Sequence, residues 1–253
     1  MSNLLTNEQL KSIARDYNND EHFHVVTSFR QNISTTVMDD IHLIPSTSTI
    51  PYPNGIQLKV ASDNTNDTAL GTGVRQVDIH YLDSNYLEER EFVTLNGTTP
   101  VNIIATDVTR ILDFHTQLVG SNGVSVGNIS LTNLAGTITY DYLQAGGNQS
   151  LTAHYTVPDN KIGYITGWQA TSTKQAVSVR LRATRSKHEL ELLPLIFTFQ
   201  DVVNLNNTTS GFISFSSPLK CLPRTDIKLS AIGTGAAGAD CSASFGILVV
   251  NKP

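Results

Sequence analysis

Leu151-Thr152-Ala153-His154-Tyr155-Thr156-Val157-Pro158, followed at once by Lys161-Ile162-Gly163-Tyr164-Ile165-Thr166-Gly167-Trp168, carries the fold. Polar and apolar side chains alternate along both runs. That period of two gives a sheet one wet face and one buried face. Thr137-Ile138-Thr139-Tyr140, upstream, has the same character. From residue 56 onward the chain repeats this rhythm, closing each run with a Gly-, Asn- or Pro-containing turn.

Ile56-Gln57-Leu58-Lys59-Val60 opens the series, and Val74 to Leu82 follows. Glu89 to Leu95 returns after the Asp83-Ser84-Asn85-Tyr86 turn, and Asn96-Gly97 closes it. Further strands are expected near 101–105, 110–119, 126–131, 136–142, 150–157, 161–172, 176–184, 192–199, 210–216, 225–232 and 241–250. Many short strands with no crossover helices predict an antiparallel β-sandwich, jelly-roll-like, in a mainly β protein.

The N-terminal part reads differently. Thr6-Asn7-Glu8-Gln9 is a capping box, and Leu10, Ile13, Ala14 and Tyr17 recur at helical spacing. One short amphipathic helix is expected over residues 7–17, too short to stand without a docking surface. Residues 21–55 read as an extended arm, in which His22 to Val26 pairs with Thr35 to Met38. The domain expectation is therefore a helix and anchoring arm over 1–55 and a β-sandwich body over 56–253. The body is either one sandwich or two subdomains, about 56–135 and 136–253.

A chain of 253 residues can bury a large sandwich core. Only 15% of residues are charged, and Thr, Ser and Asn supply the polarity. Surfaces of that kind pack against copies of themselves with few charges to desolvate. The net charge of −5 argues against a nucleic-acid partner. Arg180-Leu181-Arg182 is the core of the longest basic run and places its arginines on one face of a strand, read as a protected or interface-facing edge. Met1-Ser2-Asn3-Leu4-Leu5 has neither a basic start nor a long apolar core, so a reducing cytoplasm is the expected place of assembly, with Cys221 and Cys241 as free thiols. No apolar run approaches the roughly 20 residues of a membrane-spanning helix. If the last two strands form a hairpin turning near Gly235, Cys241 falls opposite about Ala231 and not Cys221.

Candidate chemistry is sparse. His22-x-His24 and Asp78-x-His80 lack a third metal ligand nearby. Asp83 with Glu88, Glu89 and Glu91 reads as a solvated hairpin end, since no calcium-loop spacing is present. The Gly-rich stretches lack the Lys-Ser/Thr ending of a phosphate loop. No catalytic residue, metal or cofactor is expected. Trp168, with Tyr140, Tyr155 and Tyr164, is either core packing or the wall of a sugar-binding groove.

Leu70-Gly71-Thr72-Gly73-Val74-Arg75, Leu82 to Tyr86, Val93 to Val101, Ala145 to Leu151, Tyr155 to Pro158, Gly163 to Thr166, Pro218-Leu219-Lys220 and Thr225 to Lys228 occur in that order. In this order they resemble a family of β-rich virion structural proteins of tailed, aquatic-type bacteriophages, over about residues 70–250. The resemblance implies a capsid- or tail-associated protein assembled in the host cytoplasm and carried on the virion, without catalysis. It transfers no functional residues.

Two functional readings follow. In one the chain is a homo-oligomeric head decoration, cement or minor capsid protein. Leu10, Ile13, Tyr17, Phe23, Val25 and Phe29 would then anchor it to other virion proteins, with no membrane or nucleic acid involved. In the other it is a tail fibre, spike or neck module that binds host surface glycan through Trp168. An enzyme such as a depolymerase is the weakest reading, because no acid/base pair is present.

Overall fold

The computed structural model describes residues 22–184, 196–235 and 238–252. The helix expected over 7–17 lies outside these residues, as do Leu10, Ile13 and Tyr17. The described residues are all-β. In chain order the strands are β1 (His22–Ile33), β2 (Asp39–Asp40), β3 (Leu58–Ser62), β4 (Val74–Leu82), β5 (Glu88–Thr94), β6 (Val101–Asn102), β7 (Arg110–Val119) and β8 (Ile129–Asn133). They continue with β9 (Thr139–Leu143), β10 (His154–Thr156), β11 (Lys161–Ser172), β12 (Val177–Thr184), β13 (Phe197–Leu205), β14 (Ser210–Cys221), β15 (Asp226–Gly233) and β16 (Ala239–Asn251). All pairings between them are antiparallel.

Two compact units divide the chain at Ile41/His42 and Thr152/Ala153. The first joins residues 1–41 to 153–253, and the second is His42–Thr152. These bounds differ from the expected ones at 55/56 and about 135/136. The reason is that β1 and β2 are not a loose arm. Each pairs with a strand from the far end of the chain.

In the first unit one sheet has the order β1-β16-β11-β14, and the other runs β10-β15-β12-β13 with β2 also on β15. Taking β2 and β10 as two pieces of one strand leaves eight strands with nested pairing. The first pairs with the last, the second with the seventh, the third with the sixth and the fourth with the fifth. A long hairpin wrapped into two sheets gives this order, which is a jelly roll. The expected pairing of residues 22–26 with 35–38 does not occur, because β1 takes β16 along its length. The expected β15–β16 hairpin is also absent, since the two strands lie in different sheets.

β2 and β10 lie end to end on the same edge of β15. Ser230 and Ala231 face β2, while Asp226 to Lys228 face β10. Between them the Ile41 N–H donates to the Leu229 carbonyl (3.0 Å), the Leu229 N–H donates to Ala153 (3.2 Å), and the Ala153 N–H donates to Ile41 (2.9 Å). The chain leaves and returns at neighbouring points, so the second unit is inserted in one strand without opening the sheet.

Alternation supplies the jelly-roll core. Trp168 opposes Phe245, Ile165 opposes Ile247, and Ala170 opposes Ala243 along the β11–β16 ladder, all buried. A bulge between Ile165 and Gly167 resets the phase, so that Trp168 still points inward. Its indole N–H crosses to the other sheet and donates to Asp201 Oδ2 on β13 (3.0 Å).

The second unit pairs a β6-β3-β8-β9 sheet with a β5-β4-β7 sheet. Leu58 and Val60, Val77 and Ile79, Phe114, and Ile129 and Leu131 form its core, each 0% exposed. Buried Asp67 ties its loops together, accepting from Ser62 Oγ (2.6 Å) and from the N–H groups of Val74, Val126 and Gly127 (2.8, 3.0 and 2.8 Å).

Asp201→Ala leaves the Trp168 N–H without its acceptor inside the sandwich. It is expected to lower the stability of the jelly roll by about 1–3 kcal/mol. Urea denaturation followed by fluorescence of the single tryptophan checks this directly.

Candidate functional site

Three features of the described residues have the chemistry or exposure to carry a function. Two are clusters of charged side chains, and the third is an open sheet face.

The first cluster lies on the outward side of the β5-β4-β7 sheet. Asp78, on the middle strand, is 0% exposed although it faces away from the core. Arg90 Nε lies 2.9 Å from both of its oxygens, and Arg90 Nη2 bonds Oδ2 as well. His80 Nε2 is 3.4 Å away. His115 Nε2 is 3.2 Å from Asp78 Oδ2, while its Nδ1 is 2.9 Å from Asp113 Oδ2. Register explains the convergence: Asp78 opposes His115 on β7, and His80 opposes Arg90 on β5 and Asp113 on β7. Both ring nitrogens of His115 face carboxylates, so neither is available as a general base toward a substrate. The bond to Asp113 raises the His115 pKa above its ordinary value, with burial opposing and the two carboxylates adding to the rise.

The second cluster lies on the outward side of β15. Lys228 Nζ meets Asp40 Oδ2 at 2.7 Å, and Ser230 Oγ donates to Asp40 Oδ1 at 2.7 Å. Arg182 reaches the same carboxylate at 3.7 Å. Asp226 accepts from Thr156 Oγ1 (2.6 Å), with His154 Nε2 at 3.6 Å. Burial lowers the Lys228 pKa and Asp40 counteracts it. Arg180 and Arg182 do share one face of β12, as their alternation predicts, and both lie over the Phe199 ring (4.5 and 5.9 Å). In both clusters the groups of opposite sign hold one another. They read as internal ties, although His80 Nε2, Arg180 Nε and Arg182 Nε are buried there without a hydrogen-bond partner.

The other sequence candidates separate. His22 and His24 stack edge to face at 6.3 Å, and His24 also lies 5.3 Å from the Tyr155 ring. Among the described residues no group of three or more His, Cys, Asp or Glu is arranged to hold a metal ion. Asp83 caps its own turn, accepting from the N–H groups of Asn85 and Leu87 (2.8 Å each), and Glu91 accepts from Ile104 and Ala105 (2.7 and 3.3 Å). Cys221 and Cys241 oppose Gly163 and Ser172, at opposite ends of β11. Burial pushes both thiols up to about 12, which leaves almost no thiolate at neutral pH. Trp168, the residue expected to contact glycan, is 1% exposed and hydrogen-bonded inward, so it offers no ring face to a sugar.

The third feature is the outward face of the β1-β16-β11-β14 sheet. Four cross-strand rows build it: Phe29–Ser242–Thr171–Ser210, Thr27–Ser244–Gln169–Phe212, Val25–Gly246–Gly167–Ser214 and Phe23–Leu248–Tyr164–Lys220. Lys220, at one corner, is the only charge in these rows. Val25 is 50% exposed, Phe23 39% and Phe212 70%. The Phe23 ring lies over Gly246, where a Cβ would come within 2.5 Å of it. Phe23, Val25 and Phe29, expected as anchors, thus share one face. The Ser and Thr rows beside them escaped the sequence reading, although Ser242-Ala243-Ser244-Phe245-Gly246 carries the same two-residue period. A sheet face with a single charge at one corner presents little desolvation cost to a partner, and its small side chains allow close approach.

No known protein family and no curated protein matches this chain. Solved structures similar to it include infectious bursal disease virus Gx strain, at 13% identity over 93% of this chain and 72% of that one, with a TM-score of 0.28. The VP2 subviral particle of infectious bursal disease virus is 11% identical over 94% and 74%, with a TM-score of 0.27. VP17, a capsid protein of bacteriophage P23-77, is 11% identical over 90% and 96%, with a TM-score of 0.19. Likeness this loose does not define a shared fold, and the jelly roll rests on the strand order alone.

Two pH dependences follow from the buried groups. The His115 pKa is raised on folding, so its contribution is fully present below the unfolded value of about 6.5 and is lost as pH rises through the folded value. Stability to urea is expected to fall over that upper window, and His115→Gln to flatten the fall. Asp141, buried on β9, has its pKa raised from 3.8 to about 6, because desolvation outweighs the bonds from Ser150, Tyr142 and Thr152. Its contribution is present below 3.8 and lost as pH rises through about 6. All three of those bonds go to Oδ1. Asp141→Asn keeps that acceptor and is expected to remove the slope between these pH values in the same titration.

Proposed function

We propose that this protein is a non-enzymatic structural protein of a virus particle, assembled with other virion proteins and with copies of itself. The observation that carries the reading is an eight-strand jelly roll with a second sandwich inserted in one strand, bearing one wide sheet face almost free of charge. Jelly rolls serve both capsid and lectin domains, so the fold alone does not choose. The face does. It suits packing against another protein, while burial of Trp168 takes away the residue on which glycan recognition rested. The ordered phrases between Leu70 and Lys228 that resemble tailed-phage virion proteins point the same way.

In finer detail we place the protein on the head, as a decoration, cement or minor capsid protein. The apolar residues of this anchor are Leu10, Ile13 and Tyr17 with Phe23, Val25 and Phe29, the last three on one exposed sheet face. Together they would form the attachment to the shell. The pairing of Asp78 with Arg90 and of Asp40 with Lys228, and the unreactive thiols, support a role without catalysis.

Quantitative mass spectrometry of purified particles tests this. Hundreds of copies are expected, in proportion to the major shell protein. About a dozen would move the protein to a neck or tail of cyclic symmetry, and absence from particles would overturn the reading. Full-length Leu10→Asp/Ile13→Asp, with an unchanged circular dichroism spectrum, is expected to lose particle binding. Undiminished decoration by this variant would remove the N-terminal anchor.

A further inference from the structure

The two outer strands of the β1-β16-β11-β14 sheet are built differently. β14 is blunted: its register with β11 jumps from Ser214 to Leu219, leaving residues 215–218 as a bulge that contains Pro218, and Lys220 follows. Bulges, proline and lysine are the usual protection of a sheet edge against pairing with another chain. β1 has none of them between Phe23 and Phe29. Its register with β16 is regular from His22 to Arg30, and the stretch is uncharged and without proline. Among the described residues no strand lies beyond it.

We propose that β1 pairs antiparallel with β1 of a second copy about a two-fold axis at Val26, joining two four-stranded sheets into one. This rests on the reading of the chain as a self-assembling structural protein, and it names a partner for the edge of that sheet. The choice of a second copy comes from the sequence of the strand. An axis at Val26 sets Phe23 opposite the partner's Phe29, and Phe29 opposite the partner's Phe23. Val25 then meets the partner's Thr27 on the same face. Directly opposed side chains in an antiparallel pair lie about 5 Å apart, close enough for both aromatic pairs to form. An axis one residue further on, at Thr27, sets Phe23 against the partner's Gln31 and loses the aromatic match. A closed two-fold contact of this kind also consumes the open edge and stops further growth.

Light scattering on the full chain, with reciprocal charge variants, decides the matter. The wild type is expected at twice the 27.5 kDa chain mass at about 0.1 mM. Val25→Lys/Thr27→Lys sets like charges opposite each other twice and should weaken the dimer at least about tenfold. Val25→Glu/Thr27→Lys sets opposite charges across the axis and should restore it. All three chains should share one circular dichroism spectrum, since both positions are exposed. A monomeric wild type would overturn the proposal and leave the edge to residues 1–21 or to a different protein. A dimer that survives Val25→Lys/Thr27→Lys, or one that both double variants abolish equally, would also overturn it. The particle measurement fails independently: a monomer found in particles removes this contact alone, and a dimer absent from particles removes the virion reading alone.

Discussion

Leu229 holds the molecule's plan together. Its carbonyl takes the N–H of Ile41, its own N–H goes to Ala153, and Ala153 closes back on Ile41. These three bonds let a strand be cut and a whole sandwich inserted at the cut. Without them β15 would have an unpaired middle, and buried backbone groups left unpaired are costly. With them, the jelly roll keeps a continuous strand in hydrogen-bonding terms although two distant stretches of chain supply it. The inserted unit meanwhile has its own core, from Leu58 to Leu143.

Charge is distributed to match that plan. Few residues are charged, and several of those are tied up in pairs: Asp40 with Lys228, Asp78 with Arg90 and His115, and Asp159 with Arg224. Buried pairs of this kind add little net stability but fix which strand lies beside which. Their concentration on β2, β4 and β15 leaves the outward rows of β1, β16 and β11 with hydroxyl, amide, glycine, aliphatic and aromatic groups and no charge. An uncharged stretch of sheet emerges from where the charges are not.

The alternation that marks strands was easy to read. Val74–Leu82 and Lys161–Ser172 run as their sequence period predicts, and so nearly do β7, β12, β15 and β16. Pairing was not legible, because alternation says which side of a strand is buried and nothing about its neighbour. Residues 22–26 were matched to a nearby segment and β15 to β16 on grounds of proximity along the chain. Both pairings lost to partners at the opposite end of the sequence. The candidate face suffered in the same way. Phe23, Val25 and Phe29 were recognisable as exposed apolar residues, but Thr27, Ser244 and Gln169 become one row only after three strands from distant parts of the chain are aligned. Trp168 shows the converse. Its strand runs as predicted, yet the side on which it is buried depends on a bulge at Thr166 that the sequence does not announce.

Nested pairing has a consequence for the order in which the protein can be made. β1 is made long before its partner β16, which lies at the other end of the described residues. β2 waits for β15, and β11 waits for β14. The inserted sandwich is complete by Thr152 and can fold while the rest is still being translated, because every strand it needs lies within it. The jelly roll must form afterwards, by closing its longest loops, which makes it the slow step. Until then β1 waits on the nascent chain with both edges bare and no charge between Phe23 and Phe29 to keep other chains away. Apolar strands exposed in this way during synthesis are prone to aggregate and are what chaperones hold.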